Sequence, residues 1–429
     1  MESSSLKIAV AGLGTVGLGV LEIINKHSKI LYNRTGKKFD VVAVCARSKN
    51  KKREYNLKKF KWENDLKNLS TRKDVDVVIE LIGGSDGPAL DLVRSTLNAK
   101  KNVITANKAL IAKHGNELIK IAEEKKVFLK FEASVAGGIP CIKTLTEALS
   151  GNKIKKIMGV LNGTCNYILT EMENKNNSYE DVFKEAQNLG YVETDPKLDI
   201  GGIDSAQKLA ILSSIAFGTK IYYDNENTNG IENINLEDIK FAKSMGYRIK
   251  LLSVSESTSK GIFQQTAPSL IPEKHIISKL DGGTNLVSIM GDSVEEIILQ
   301  GPGAGKGPTA SAVISDLVDI ALENQRPVLG QYIEQLKIPI KDLRKESSCY
   351  YLRFNLADEP GSLGKVAKIL GDFGISIDRM RQLKHKGENA PIIMVTHKSD
   401  IDNIKNALIK INKLNVCSSH PTMLRIENL

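Results

Sequence analysis

Two lysines and an aspartate have the types and spacing for acid–base chemistry. Asp204 and Lys208 stand four positions apart, so they share one face of any helix they begin. The residues that follow, 209–217, are so apolar that this helix reads as buried, which directs the Lys208 ammonium into a cleft rather than into bulk water. A stabilising ion pair explains the same spacing. Lys108 closes the run from Thr105 at the end of an apolar strand, and the carboxyl edge of a parallel sheet is where cofactor and substrate meet. An ordinary solvated loop lysine is the alternative there.

A second group of residues points to a dinucleotide. Gly12, Gly14 and Gly17 follow an apolar strand directly and, with Thr15 and Val16 between them, open a helix. Gly12 allows a tight turn, Gly14 lets backbone N–H groups approach a pyrophosphate, and Gly17 permits close helix packing. The helix N-terminus adds partial positive charge. Where an NAD-binding fold places an acid after its second strand, this chain has Arg47, followed by Ser48, Lys49 and Lys51. A guanidinium pairs with phosphate oxygens, so NADP(H) is the preferred cofactor in this reading, with NAD(H) also accepted. Arg47 as a plain surface residue is the other option.

These residues need elements to hold them. Short β-branched runs at 8–11, 41–46, 75–81, 103–105 and 127–132 alternate with helix-length amphipathic segments, the mark of βαβ units on a parallel sheet. A middle section mixes helices at 180–189 and 204–217 with runs at 154–161, 286–290 and 296–300 that read as antiparallel strands. The glycine-rich stretch 301–308 leads into an apolar helix at 309–322 that returns to the first lobe. The expected architecture is α/β: a Rossmann-like nucleotide-binding domain over 1–132 completed by about 301–325, an α+β catalytic and dimerisation domain over 133–300, a linker at 326–349, and a third unit over 350–429. The basic stretch 49–67 reads as a solvated helix or loop.

Composition excludes other classes. The 429 residues are 41% hydrophobic and 26% charged, close to globular usage, which rules out disordered and fibrous chains. The net charge of +10 is thin over this length, and aromatics at 5% offer no base-stacking platform, so no nucleic-acid partner is expected. No apolar stretch approaches the ~20 residues of a membrane span. Five widely spaced cysteines without a CxxC pair indicate neither a disulfide framework nor a zinc site, and with no leader-like N-terminus the expected location is the cytoplasm.

In order along nearly the whole chain, the motifs at 12–17, 105–108, 131–140, 161–164, 190–193 with Asp195, Asp204 with Lys208, and 301–305 resemble those of the homoserine dehydrogenases of threonine, methionine and isoleucine biosynthesis. The resemblance implies NAD(P)H-dependent reduction of L-aspartate 4-semialdehyde to L-homoserine. It makes Lys208 the acid–base residue and Lys108 its partner, gives Glu193 and Asp204 to substrate binding beside Gly190, and adds Gly305 to the cofactor contacts. It also implies a monovalent cation, sodium or potassium, held by Glu132, Val135, Gly137 and Ile139 through main-chain oxygens. The physics suits such a reaction. Charge develops on the carbonyl oxygen as hydride reaches its carbon, and a fixed ammonium there stabilises it and donates the proton. Backbone N–H groups at Asn162, Gly163 and Thr164, which start a helix, are assigned to the substrate carboxylate.

From Tyr350 onward, a strand, a turn with Asp358, Pro360 and Gly361, and a helix over 364–373 resemble the ferredoxin-like ACT regulatory module. That resemblance implies pairing between chains, as a homodimer or homotetramer, and L-threonine as an effector; a purely structural appendage is the alternative. Two rival functions remain at this point. One is a thiol-dependent semialdehyde dehydrogenase using Cys165 as nucleophile. The other is a non-catalytic sensor of nucleotide and amino acid.

Overall fold

The computed structural model describes residues 4–190, 196–223, 225–341, 347–383 and 387–427. Its first layer is a parallel sheet of β1 (Ser5–Ala11), β2 (Lys38–Cys45), β3 (Lys61–Trp62), β4 (Val77–Glu80), β5 (Asn102–Thr105) and β6 (Leu129–Lys130), in the order β3-β2-β1-β4-β5-β6. These strands are continuous apolar runs because helices cover both faces of the sheet. Ile8, Val10, Val44, Val77 and Ile79 lie within one core with Val20 and Leu21 of the Thr15–Lys26 helix and Val313 and Leu317 of the Lys306–Ala321 helix. The strand order reverses between β1 and β4, the crevice where such sheets take ligands.

The basic stretch after β2 contains β3, which pairs Lys61 with Ala43 and Trp62 with Val44. Arg53 stacks 5.6 Å above Trp62 and donates to the carbonyls of Leu13, Lys51 and Ser48, so it braces the stretch against the glycine turn.

The second layer is one nine-stranded sheet. Its strands are β7 (Lys156–Val160), β8 (Tyr247–Thr258), β9 (Gly261–Pro272), β10 (Thr284–Met290), β11 (Glu296–Pro302), β12 (Cys349–Ala357), β13 (Ile377–Gln382), β14 (Asn389–Thr396) and β15 (Thr422–Ile426). They run in the order β11-β10-β7-β8-β9-β15-β12-β14-β13. The last four strands, with the helices Ser362–Asp372 and Ile401–Asn412, make the βαββαβ pattern of the C-terminal unit. That unit joins the catalytic sheet through β15, which runs parallel to β9 with Arg425 opposite Ser269 and Ile426 opposite Leu270. Tyr351, Ile393, Val395, Leu424 and Ile426 of the C-terminal unit share a core with Ile168, Leu169 and Met172 of the Gly163–Lys175 helix. Among the described residues no helix is long and apolar enough to cross a membrane.

Candidate active site

The site forms where two helix starts meet. Gly202, in left-handed conformation at φ 80°, turns the chain into the Ile203–Phe217 helix and sets Asp204 in its first turn, where a carboxylate suits the helix dipole. One turn on, the buried Lys208 ammonium donates to Asp204 Oδ2 and to the Leu161 carbonyl, both at 2.7 Å. From the nucleotide-binding side, Asn107 caps the Lys108–Lys125 helix by accepting from the Leu110 N–H, and Lys108 Nζ reaches Asp204 Oδ1 at 2.9 Å. The two lysines, a hundred positions apart, thus converge on one carboxylate. Burial alone would raise the Asp204 carboxyl, but the Lys208 and Lys108 charges outweigh it and hold it well below the usual carboxylate range.

Asn162 completes this centre. Its amide donates to Asp204 Oδ2 at 3.0 Å and to Asp199 Oδ1 at 2.9 Å, and its oxygen caps the Gly163–Lys175 helix by accepting from the Cys165 N–H. The Asn162 side chain is therefore committed to the acids, and the start of the helix at Gly163 and Thr164 stays beside them. Gly190, left-handed at φ 76°, ends the segment after the Tyr179–Asn188 helix. Glu193 and Asp195 lie outside the described residues.

At the switch point of the parallel sheet, Gly12 has φ 99°, and a Cβ there would meet the Leu81 carbonyl oxygen at 2.3 Å. A Cβ on Gly17 would come within 2.1 Å of the Gly12 carbonyl oxygen, so the helix can sit this close only on glycine. Gly14 and Thr15 are exposed, Val16 is half-buried, and a Cβ on Gly14 would meet nothing within 4 Å, leaving open space above an uncapped helix N-terminus. Arg47 and Lys51 are exposed just past β2, on the loop that Arg53 ties to Leu13. Thr105 donates to the buried Glu80 carboxylate, whose other oxygen accepts from the Ile82 and Gly83 N–H groups, and accepts from the Asn107 N–H. Gly305 begins the Lys306–Ala321 helix, with Lys306 paired to Glu22 of the first helix.

Glu132, Val135, Gly137 and Ile139 form a buried turn, with Ala136 and Gly137 both left-handed. The Glu132 carboxylate accepts from the Ile142 and Lys143 N–H groups, and burial pushes it up to about 7. Of the four main-chain oxygens, those of Glu132 and Ile139 already accept from the Val135 and Cys141 N–H groups.

Several residues of the centre escaped the sequence reading: Asp199, the Leu161 carbonyl, Glu80 and Arg53. Glu80 left a signal as the acid that ends a buried apolar strand, and Asn107 as a capping residue. Cys165 is fully buried, and its thiol donates to the Asp199 carbonyl at 3.2 Å. Burial pushes that thiol well above its ordinary range, and Asp199 and Asp204 push it further, the reverse of what a nucleophile needs.

Comparisons with known proteins identify the family. Residues 140–318 match the family model for homoserine dehydrogenase, 12–132 match the homoserine dehydrogenase NAD binding domain, and 350–416 match the ACT domain. The homoserine dehydrogenase of Neisseria gonorrhoeae is 40% identical over 99% of each chain. A crystal structure of a homoserine dehydrogenase from Thiobacillus denitrificans, 39% identical, superposes with a TM-score of 0.90 over 99% of each chain. A hyperthermophilic archaeal homoserine dehydrogenase solved in complex with NADPH is 26% identical, with a TM-score of 0.63 over 74% of this chain and 98% of that one. The chain belongs to the homoserine dehydrogenase family, as an oxidoreductase with a Rossmann-like nicotinamide-nucleotide domain and a C-terminal ACT domain.

Proposed function

We propose that this chain reversibly reduces L-aspartate 4-semialdehyde to L-homoserine with NADP(H), and that Lys208 is its proton donor. The observation that carries the reading is the convergence of Lys108 and Lys208 on Asp204 beside the nucleotide crevice. The nicotinamide, when bound, supplies the hydride. Lys208 and Lys108 face the carbonyl oxygen and stabilise its growing charge, and Lys208 gives up the proton. Asp204 aligns both ammonium groups. Asp199, with Glu193, takes the substrate ammonium, and N–H groups at Asn162, Gly163 and Thr164 take its carboxylate, as does the neighbourhood of Gly190.

The cofactor rests on Gly12, Gly14, Thr15, Val16, Gly17, Thr105, Lys108 and Gly305, and its 2′-phosphate on Arg47 and Lys51, a distribution that favours NADP(H) while NAD(H) is accepted less well. A sodium or potassium ion held by Glu132, Val135, Gly137 and Ile139 would fix the turn against Gly303. L-threonine acts on the ACT module, and chains assemble as a homodimer or homotetramer through the edge strands β11 and β13 of the nine-stranded sheet. The five free cysteines accord with the reducing cytoplasm.

NADPH consumption with aspartate semialdehyde tests the reading directly. Lys208→Ala should lower kcat by about 10² to 10⁴ while NADPH still binds. A Lys208→Ala enzyme with unimpaired turnover would refute the role of Lys208, and a native enzyme that binds NADPH without oxidising it would favour a sensor. The thiol-dependent alternative predicts loss of activity in Cys165→Ser, where we expect little change.

A further inference from the structure

β7 ends at Val160, which pairs with Leu286 of the antiparallel β10. Continuing that register sets Asn285 across from Leu161, but there the ladder gives way to side chains. The Leu161 carbonyl accepts from the Lys208 ammonium at 2.7 Å and from the Asn285 amide at 2.9 Å. Asn285 is 1% exposed, and a Cβ on Gly303 would lie 2.1 Å from its amide carbon, so the side chain is packed tightly against the turn that follows β11. Its own oxygen Oδ1 is buried and meets no hydrogen-bond donor among the described residues. A buried amide with an unmatched acceptor costs folding free energy. Among the described residues its one side-chain donation goes to the carbonyl that holds Lys208.

We propose that Asn285 is a positioning residue for Lys208, fixing the Leu161 carbonyl so that the ammonium is held by two acceptors and not by Asp204 alone. With a single acceptor, Lys208 could swing with the Asp204 side chain. Two acceptors on different elements define its direction, and geometry at the reacting atom is worth large factors in rate. The inference rests on Lys208 as the proton donor.

Among the described residues, Lys208 pairs with Asp204 on its own helix, and Lys108 from the Lys108–Lys125 helix pairs with the same carboxylate. Asp199 adds a carboxylate on the far side of Asn162. Asn285→Ala should lower kcat about tenfold to a hundredfold with KM for NADPH changed by less than about twofold.

The full-length enzyme is assayed for NADPH consumption across pH beside Lys208→Ala, with NADPH binding measured by fluorescence. A kcat near native in Asn285→Ala, or loss of NADPH binding in it, would overturn the assignment, the last because Asn285 would then be a general packing residue. The two ideas separate cleanly. An active Lys208→Ala enzyme defeats the proton-donor reading itself, whereas an inactive one beside a normal Asn285→Ala enzyme defeats only the role of Asn285.

Discussion

Asp204 accepts from the ammonium groups of Lys108 and Lys208 and from the amide of Asn162, so neutralising it leaves cations facing each other in a largely buried centre. Asp204→Asn should therefore cost about 3 kcal/mol in urea unfolding as well as activity. Its pH signature follows from a carboxyl held below its unfolded value. That stabilisation is present above about pH 4, and it is lost as pH falls through the folded value, so the variant should show a flatter acid limb of stability. Asp316 has the opposite sign. Burial and the neighbouring Glu132 push its carboxyl up to about 8, so the folded state keeps a proton that the unfolded chain releases above about pH 4. Its contribution to stability is present in acid and is lost as pH rises to about 8, by up to ~1.4 kcal/mol per pH unit. Thermal melts of Asp316→Asn between pH 5 and 8 should show a smaller fall than the native chain. For Arg47→Asp, titration should show a drop in NADPH affinity of about tenfold or more and little change for NADH. Equal losses for both cofactors would remove the phosphate contact.

Elements decide whether such residues meet. Gly17→Ala would push the first helix off the turn, since a Cβ there lies 2.1 Å from a backbone oxygen, and NADPH binding should weaken about tenfold with the fold retained. That contact was legible in the spacing of Gly12, Gly14 and Gly17, because a fingerprint lies along one local turn. The spacing of Asp204 and Lys208 was legible for the same reason. Asn285 and Leu161 were not, since their meeting depends on antiparallel register and a main-chain carbonyl, neither of which shows in side-chain type. The long β8–β9 hairpin escaped for a different reason. Lys250 sits in β8 at 1% exposure, donating to Asn166 Oδ1 at 2.9 Å and to the Leu280 carbonyl, and this buried charge breaks the apolar signal that marks a strand. Burial pushes that ammonium down to about 8.

Across the whole molecule, the ACT unit was recognisable in sequence, but its fusion to the catalytic sheet was not, because nothing local announces that β15 will lie beside β9. The shared core has a measurable consequence. A chain ending at residue 348 would lose Tyr351, Ile393, Val395, Leu424 and Ile426 from the core that supports the Gly163–Lys175 helix. At ~1.5 to 3 kcal/mol for each buried side chain, that loss rivals the whole stability of a typical domain. The truncated chain should be poorly soluble and melt far below the native protein, and an equally stable truncation would refute the shared core. The proposed effect of L-threonine is for this reason best tested on the full chain, where a lower rate is the expected result and an unchanged rate would refute it.

The parallel seam between β15 and β9 also bears on recombination. A donor module spliced in at the connector would arrive with its last strand needing an open neighbour of matching polarity and an oily face to receive an aromatic ring. Regulators exchanged at that joint between related enzymes should give working hybrids only when both partners carry the same seam. Swaps that ignore it would yield insoluble chimaeras, however well their connectors were chosen.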